Sequence, residues 1–446
     1  MNYITEPERK IPIKDKCDLC VVGGSCTGAF AAIRAARLGL SVVLVEKHNI
    51  LGGTAVSGLV NIWHSLKDVH GREQVIAGLT DETLARLSKR GALLTSPEPT
   101  LAFNFNPFEL AMVLDEYIKE CKIKLRLHTS YVALSKEGEE VRAVIIEDAD
   151  GRGAIEAKFF IDATGDGRLA RDANIPSYYA PALQPPTACF FLQGDTREIK
   201  LADMIRDHGA EFGLDDDWGW STTLEGAKGI TMRADNHVFG LCLDRADDLT
   251  AAEIEGRRRA DAFVRMLKKY GTDDYRMVGL CSHIGTRETA HYETKLRASA
   301  DALLHGERYE NPIMKGSYRI DIHHANDNGI TFKYLDGRAV TVYGKNTRIV
   351  VGNWRKDEGL SGDCAPYYEL PFDVLVARGV ENLIPVGRMI NADEGAFGAL
   401  RVMVNLNQLG EAAGVAAYLA VSEEKSADAL DRAKITRLLR EGGSAL

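Results

Sequence analysis

The 446-residue chain has no run of about eighteen apolar residues, so nothing in it reads as a membrane span. Its first residues, Met-Asn-Tyr followed by mixed charges and prolines up to Lys16, lack the apolar stretch of a signal peptide. A soluble, cytoplasmic protein is the expectation. A basic surplus is missing as well: 55 Lys and Arg stand against 64 Asp and Glu, a net charge of -9. Phosphate backbones are held by excess Lys and Arg, so this balance argues against nucleic acid as a partner. The basic run Arg257 to Arg259 lies in a stretch that reads as a helix capped at Thr250 and supported by Glu253. With Phe263, Val264 and Leu267 supplying its apolar side, the arginines form a solvated face. Of the eight cysteines only Cys17 and Cys20 make a CxxC. Without a second pair there is no zinc ribbon, and no cysteine series suits an iron–sulfur cluster, so no metal is expected. Internal repeats and low-complexity tracts are also absent.

What is present is concentrated between Asp18 and Glu46. An apolar strand runs into a glycine-rich turn, an alanine-rich helix opens at Gly28 and ends near Gly39, and a second apolar strand finishes on an acid. This is the βαβ unit that grips a dinucleotide. Gly23 permits the tight turn, and Gly28 lets the helix pack close and aim its N-terminal N–H groups at a pyrophosphate. Glu46 follows about twenty residues on, where a carboxylate can bind ribose hydroxyls. Ser25 replaces the middle glycine of GxGxxG, although a serine there still offers an N–H and a hydroxyl.

The length suggests two or three domains. After Glu46 come Gly52, Gly53 and Thr54, two glycines and a small polar residue that permit close backbone approach to a planar ring. Residues 75 to 100 read as mixed helix and loop. Asn106 as N-cap, Pro107 in the first turn and Glu109 open a helix with the apolar stripe Leu110, Val113, Leu114, Tyr117 and Ile118. Short β-rich runs at Lys124 to Thr129, Tyr131 to Ser135, Val141 to Glu147 and Ala154 to Ile161 read as a β-meander closing on the turn Asp162 to Gly167. The stretch 187–370 differs in texture, with three of the four Trp, the acidic run Asp215 to Asp217, several β-like runs and at least two helices. Nucleotide-domain character returns at Asn382 to Arg388. A long helix opening at Gly398 follows, thin on one side at Gly410, Gly414 and their alanine neighbours, which suits tight packing against a sheet.

These motifs in this order resemble the FAD-dependent oxidoreductases of the glutathione-reductase-like superfamily, and within it the bacterial "FAD dependent oxidoreductase" group. The resemblance rests on VVGGSCTG at 21–28, LVEK at 44–47, LGGT at 51–54, IDATGDG at 161–167, IGTRET at 284–289, GSYRIDIH at 316–323, NLIPVGR at 382–388 and GALRVM at 398–403. It implies an α/β fold: a Rossmann-like FAD-binding domain with a three-stranded β-meander (1–186), a mixed α+β substrate or cap domain (187–370), and a C-terminal return to the FAD domain (371–446). FAD would be held non-covalently. Gly23, Gly24, Ser25, Cys26, Thr27 and Gly28 would line the pyrophosphate, and Glu46 and Lys47 would meet the adenosine ribose. Gly52, Gly53 and Thr54 would lie beside the flavin ring or ribityl chain, and Val132 would hold adenine through its backbone. Ala163, Thr164, Gly165 and Asp166 would close the cleft, joined by Gly387 and Arg388. Asp162 and Asp166 read equally as turn-stabilising acids. Gly398, Leu400 and Arg401 would set a helix N-terminus toward the N1 and O2 edge of the flavin. Disulfide-reductase flavoproteins carry a redox CxxxxC soon after the first motif, and none lies here between Cys26 and Cys121.

Hydride chemistry at flavin N5 leaves the protein to supply orientation, charge and proton management. Arg287 is placed to bind a substrate carboxylate or polarise a carbonyl, with an interdomain ion pair as the other reading. His323 shares a strand face with Asp321 and suits proton removal, and His64 and then Tyr368 follow it as candidates. A dehydrogenase or reductase acting on a small polar organic substrate is the first expectation. A flavin monooxygenase and an FAD-carrying electron-transfer subunit are the alternatives, with the electron acceptor or donor and the oligomeric state open. Only one glycine-rich fingerprint occurs, so no built-in nicotinamide-dinucleotide domain is expected.

Overall fold

The computed structural model describes residues 3–97, 100–194, 196, 199–217, 219–235, 237–344 and 348–446. Trp218, one of the tryptophans that mark the middle stretch, lies outside the described residues, as do Met1 and Asn2. The nucleotide unit forms in sequence order. Strand β1 (Ile13–Val22) leads to helix α1 (Cys26–Arg37) and strand β2 (Val42–Val45). Helix α2 (Pro107–Glu120) starts at Asn106, whose side chain accepts hydrogen bonds from the N–H of Phe108 and Glu109. Next come β3 (Lys124–Arg126), β4 (Ser130–Glu137), β5 (Glu140–Asp148) and β6 (Gly151–Asp162). The sheet order is β3-β2-β1-β6-β5-β4. Leu19 to Val22 of β1 pair in parallel with Val42 to Val45 on one side and with Phe159 to Asp162 on the other. A strand flanked on both edges and covered on both faces must be apolar throughout, which explains the unbroken Leu19-Cys20-Val21-Val22 run.

Two expectations change here. The run Lys124 to Thr129 is not part of the meander: β3 pairs in parallel with β2, Val43 opposite Lys124, so the meander consists of β4, β5 and β6 alone. Helix α1 begins at Cys26, two residues before Gly28, because Ser25 caps it. Cys17 and Cys20 both lie in β1 as free thiols, as read from the sequence.

The middle stretch opens with β7 (Phe190–Gln193), β8 (Trp220–Thr223), β9 (Ile230–Ala234), helix α3 (Ala246–Tyr270) and β10 (Arg276–Leu280). The four strands form an antiparallel sheet in the order β8-β9-β7-β10. Ala260, Phe263 and Leu267 of α3 pack on Phe190 and Leu192 of β7. Thr250 does not cap this helix: it lies inside the first turns and its hydroxyl donates to Ala246 O at 2.9 Å. The arginine run faces outward on Glu253, Glu255 and Asp215. Strand β11 (Pro312–Gly316) precedes a second antiparallel sheet of β12 (Ile320–His323), β13 (Gly329–Lys333), β14 (Arg338–Tyr343) and β15 (Arg348–Asn353). Strand β16 (Tyr368–Pro371) returns to pair with β11. Met314, Ile320, Tyr368 and Leu370 from this part share one apolar core with Phe30 of α1 and Leu114 of α2.

The chain then re-enters the first sheet through β17 (Leu383–Pro385), parallel to the end of β6. Helix α4 (Glu394–Leu400) and helix α5 (Met403–Glu423) follow. Gly398 and Leu400 therefore end a short helix instead of opening the long one, because Asp393 caps α4 and the chain breaks at Arg401 and Val402. The glycines of α5 face a helix, not a sheet. A Cβ at Gly410 would lie 2.3 Å from Thr27 O, and one at Gly414 would lie 2.4 Å from Ala31 O, so α5 rests directly on the backbone of α1.

Candidate functional site

The first cluster of sequence candidates gathers at the C-terminal ends of β1, β2 and β6. Gly23 has φ +108°, and a Cβ there would sit 2.3 Å from Ala163 O, so the turn after β1 requires glycine. Gly28 touches the same turn, its hypothetical Cβ 2.0 Å from Gly23 O. Ser25 Oγ accepts from Gly28 N at a long 3.4 Å, and the first turn of α1 carries no acid. Such a helix start, with buried Cys26 and Thr27 as its first residues, is a ready anion site. Glu46 is buried with both oxygens engaged once, by Gly24 N at 2.6 Å and His48 N at 2.8 Å, and each keeps a further lone pair. The loop at Gly52, Gly53 and Thr54 lies against Ser25: Gly52 N donates to Gly24 O at 2.8 Å.

Across the turn, Asp162 is fully buried and accepts four bonds, from Thr164 N and Oγ1, Leu169 N and Ala170 N. It is the acid that builds the turn. Asp166 instead pairs with the guanidinium of Arg388, which lies on Gly165 so closely that a Cβ there would meet it at 2.2 Å. Gly387, at φ +130°, positions Arg388 after β17. The ammonium of Lys47 feels Asp166, Glu46, Arg168 and Arg388. Val132 falls at the register shift between Tyr131 and Ala133, a bulge that takes its backbone out of the β4–β5 ladder.

The second cluster lies where the middle stretch meets α4. Asp321, on β12, is buried and accepts from Tyr318 Oη at 2.6 Å. Arg401, just past the end of α4, donates Nη2 to Asp321 Oδ1 at 3.2 Å and to Asp321 O at 3.0 Å. This ion pair is largely buried. The close approach is permitted by Gly398, whose hypothetical Cβ would lie 2.7 Å from Asp321 O. Burial alone raises the Asp321 pKa, but Arg401, Arg319, Tyr318 and Arg287 outweigh it and keep the carboxyl below its ordinary value.

His323 sits on the same strand face, its Nε2 3.4 Å from Asp321 Oδ1, while its backbone N–H donates to Gln184 Oε1 at 3.1 Å. Burial, then Arg287, His237 and Arg401, push its pKa well below the usual imidazole value. Arg287 donates to Pro185 O and, at 3.3 Å, to Thr187 Oγ1. It makes no ion pair with Glu288, which pairs with buried His291 at 3.0 Å. Burial and the neighbouring Arg401 lower the Arg287 pKa to about 9. His64 lies against Tyr318 with ring centroids 4.1 Å apart and the planes tilted by 33°, and burial followed by Arg319 depresses its pKa to about 3. Tyr368 is buried and tied to the frame, donating to Tyr318 O at 3.1 Å and accepting from Asn405 Nδ2 at 3.0 Å.

Arg287, His323, His64 and Arg401 are therefore joined through Asp321 and Tyr318, whereas Gly53 belongs to the first cluster. Sequence reading missed Arg319 and the buried His237–Asp217 pair, with His237 Nδ1 3.1 Å from the carboxylate and its ring 4.9 Å from that of His323. Arg319 was within reach, since it stands in GSYRIDIH. Among the described residues no group of three or more metal-ligating side chains occurs, and no helix is long and apolar enough to cross a membrane.

A family model described as FAD dependent oxidoreductase matches residues 18–439. Mitochondrial dihydrolipoyl dehydrogenase of Schizosaccharomyces pombe is 37% identical over 82 residues, 16% of each chain. Digeranylgeranylglycerophospholipid reductase 2 of Methanothermobacter thermautotrophicus is 28% identical over 178 residues, 37% of this chain and 44% of the relative. The chain thus spans less than half the length of these curated relatives. A geranylgeranyl bacteriochlorophyll reductase-like structure from Thermoplasma acidophilum aligns with a TM-score of 0.48 at 11% identity, covering 96% of this chain and 82% of the other. p-Nitrophenol 4-monooxygenase from Pseudomonas putida aligns at 0.44 and 13%, covering 96% and 84%.

Proposed function

The chain belongs to the FAD dependent oxidoreductase family and its cofactor is FAD; from that premise we propose a dehydrogenase or reductase of the glutathione-reductase-like kind. Bound FAD supplies hydride transfer at N5 to or from a carbon of a small polar organic molecule. The residues present fit this cofactor: a glycine turn no Cβ can enter, a helix start without an acid, and a buried Arg388 Nε that has no acceptor beside Gly165. Gly23 to Gly28 would hold the pyrophosphate, Glu46 and Lys47 the adenosine ribose, Val132 the adenine, and Gly52 to Thr54 with Ala163 to Asp166, Gly387 and Arg388 the rest. The LGGT loop contains no His or Cys, so attachment would be non-covalent.

The observation that carries the catalytic reading is the buried knot of Asp321, Arg401, His323 and Arg287. His323 is kept unprotonated by burial and by the guanidiniums around it, which is the form a base must have. On taking a substrate proton its new charge would face the Asp321 carboxylate 3.4 Å away. Arg287 would hold an anionic group of the substrate, and Arg401 would fix Asp321 while adding positive charge beside the reacting atoms.

The test is anaerobic mixing of the FAD-loaded protein with a metabolite library while flavin absorbance is followed. Bleaching by a small acid without oxygen, and no label in the product when turnover is repeated under labelled O2, supports the reading. Incorporation of that oxygen would make the protein a monooxygenase, and reduction only by a partner protein would make it an electron-transfer subunit.

A further inference from the structure

We propose that the substrate site is built for a small dicarboxylate, one carboxylate to Arg287 and the other to Arg319, across the fixed Asp321–Arg401 pair. This rests on the reading above and adds the substrate class. Arg287, Arg319 and Arg401 come from three separate stretches: the loop after β10, the residue before β12 and the end of α4. All three act on Asp321. Only Arg401 has a carboxylate within ion-pair distance, and it is that of Asp321. Among the described residues Arg287 and Arg319 have none.

Arg287 spends its donors on a carbonyl and a hydroxyl, which leave its charge unanswered. Asp217 contributes to its surroundings from a distance, already engaged by His237. Arg319 is packed among aromatic rings, its guanidinium carbon 4.4 Å from the centroid of Phe332, 4.9 Å from Tyr318 and 5.5 Å from Tyr334. Its Nε is buried without an acceptor, and so is that of Arg401. A buried charged donor that makes no bond is costly to leave unpaired, so such groups in a site call for a ligand that supplies acceptors. The imidazoles of His64 and His323 cannot answer the charge, because an imidazole is neutral or, when protonated, itself a cation. Burial first, then the neighbouring Arg401, lowers the Arg287 pKa, whereas Tyr318 and Asp321 outweigh burial at Arg319 and raise it. Two guanidiniums from separate stretches, both acting on one fixed acid and neither with a carboxylate of the chain at ion-pair distance, match two carboxylates better than one compact anion, because planar forks pair with carboxylates two bonds at a time.

The FAD-loaded protein is titrated with malonate, succinate, glutarate, acetate and inorganic phosphate at constant ionic strength near neutral pH, reading flavin absorbance and melting temperature. The expected result is that the best dicarboxylate half-saturates at a concentration about tenfold or more below that of acetate and of phosphate. Arg319→Gln should bring that dicarboxylate to within about twofold of acetate. A dicarboxylate advantage under tenfold, phosphate as the tightest anion, or an unchanged affinity in Arg319→Gln would overturn the proposal. Should Arg319→Gln fail to hold FAD, Arg319→Lys is read instead: an ammonium lacks the fork, so retention of full dicarboxylate affinity would again overturn it. Dicarboxylate binding without flavin bleaching upholds this site and counts only against the hydride-transfer reading.

Discussion

At the scale of single residues, the two clusters are governed by what burial does to charge. Glu46 shows the cofactor side: its two oxygens already face N–H donors from Gly24 and His48. Glu46→Gln must turn an amide nitrogen toward one of them, and Glu46→Ala removes the acceptor altogether. Either change should weaken FAD binding, Glu46→Ala by about 1–3 kcal/mol, the usual loss for a charged hydrogen bond. Fluorescence titration of the apoprotein with FAD measures this, and wild-type affinity in Glu46→Ala would contradict the assignment. His64 shows the substrate side. Its folded pKa is depressed to about 3 from an ordinary 6.5, so between these values the unfolded chain binds a proton that the folded protein refuses. Its contribution is therefore complete above pH 6.5 and lost as pH falls toward 3, at no more than about 1.4 kcal/mol per pH unit. His64→Gln should lose less stability than wild type on acidification from neutrality, read as urea midpoints. Equal losses would place the ring in contact with solvent.

At the scale of elements, the close contacts are made by glycines that a sequence scan ranks as turn or cofactor residues. Gly398 is the clearest. It lets α4 lie on the backbone of β12, and that contact brings Arg401 to Asp321. Gly398→Ala puts a methyl 2.7 Å from Asp321 O, so helix or strand must move. The expected cost is about 1–3 kcal/mol in urea unfolding, and an unchanged midpoint would show that the contact is loose. The β1-α1-β2 unit, the Asn106 cap and the β4-β5-β6 meander were legible because local pattern decides them: a strand-length apolar run, a capping residue, glycine turns. The partner of β3, the start of α5 and the helix beneath Gly410 were not legible. Each is settled by a segment far away in the chain, and local periodicity is the same whether a thin helix meets a sheet or another helix. The same division runs through the site. Gly23, Glu46 and Arg388 carry motif signals, whereas Arg319 and His237–Asp217 matter only through neighbours that folding brings to them.

At the scale of the molecule, one parallel sheet with a β-meander carries the residues proposed to hold the cofactor. The middle stretch and the C-terminal helices supply the arginines and histidines. Only one glycine-rich βαβ fingerprint is present in the sequence. The purified protein should therefore be yellow, release FAD into the supernatant on acid precipitation, and bind NADH neither tightly nor in stoichiometric amount. Flavin retained in the pellet would contradict non-covalent attachment, and tight NADH binding with rapid bleaching would reveal a second nucleotide site.

The account stands on Arg287 and His323 acting on the substrate next to FAD. The direct measurement is stopped-flow flavin reduction, under anaerobic conditions and with the substrate found by screening, in wild type, Arg287→Lys and His323→Asn, each loaded with FAD. The predicted result is intact FAD binding in all three, a rate lowered by about two to four orders of magnitude in His323→Asn, and loss of substrate saturation in Arg287→Lys. Wild-type reduction kinetics in both variants would contradict it and return the two residues to a structural role.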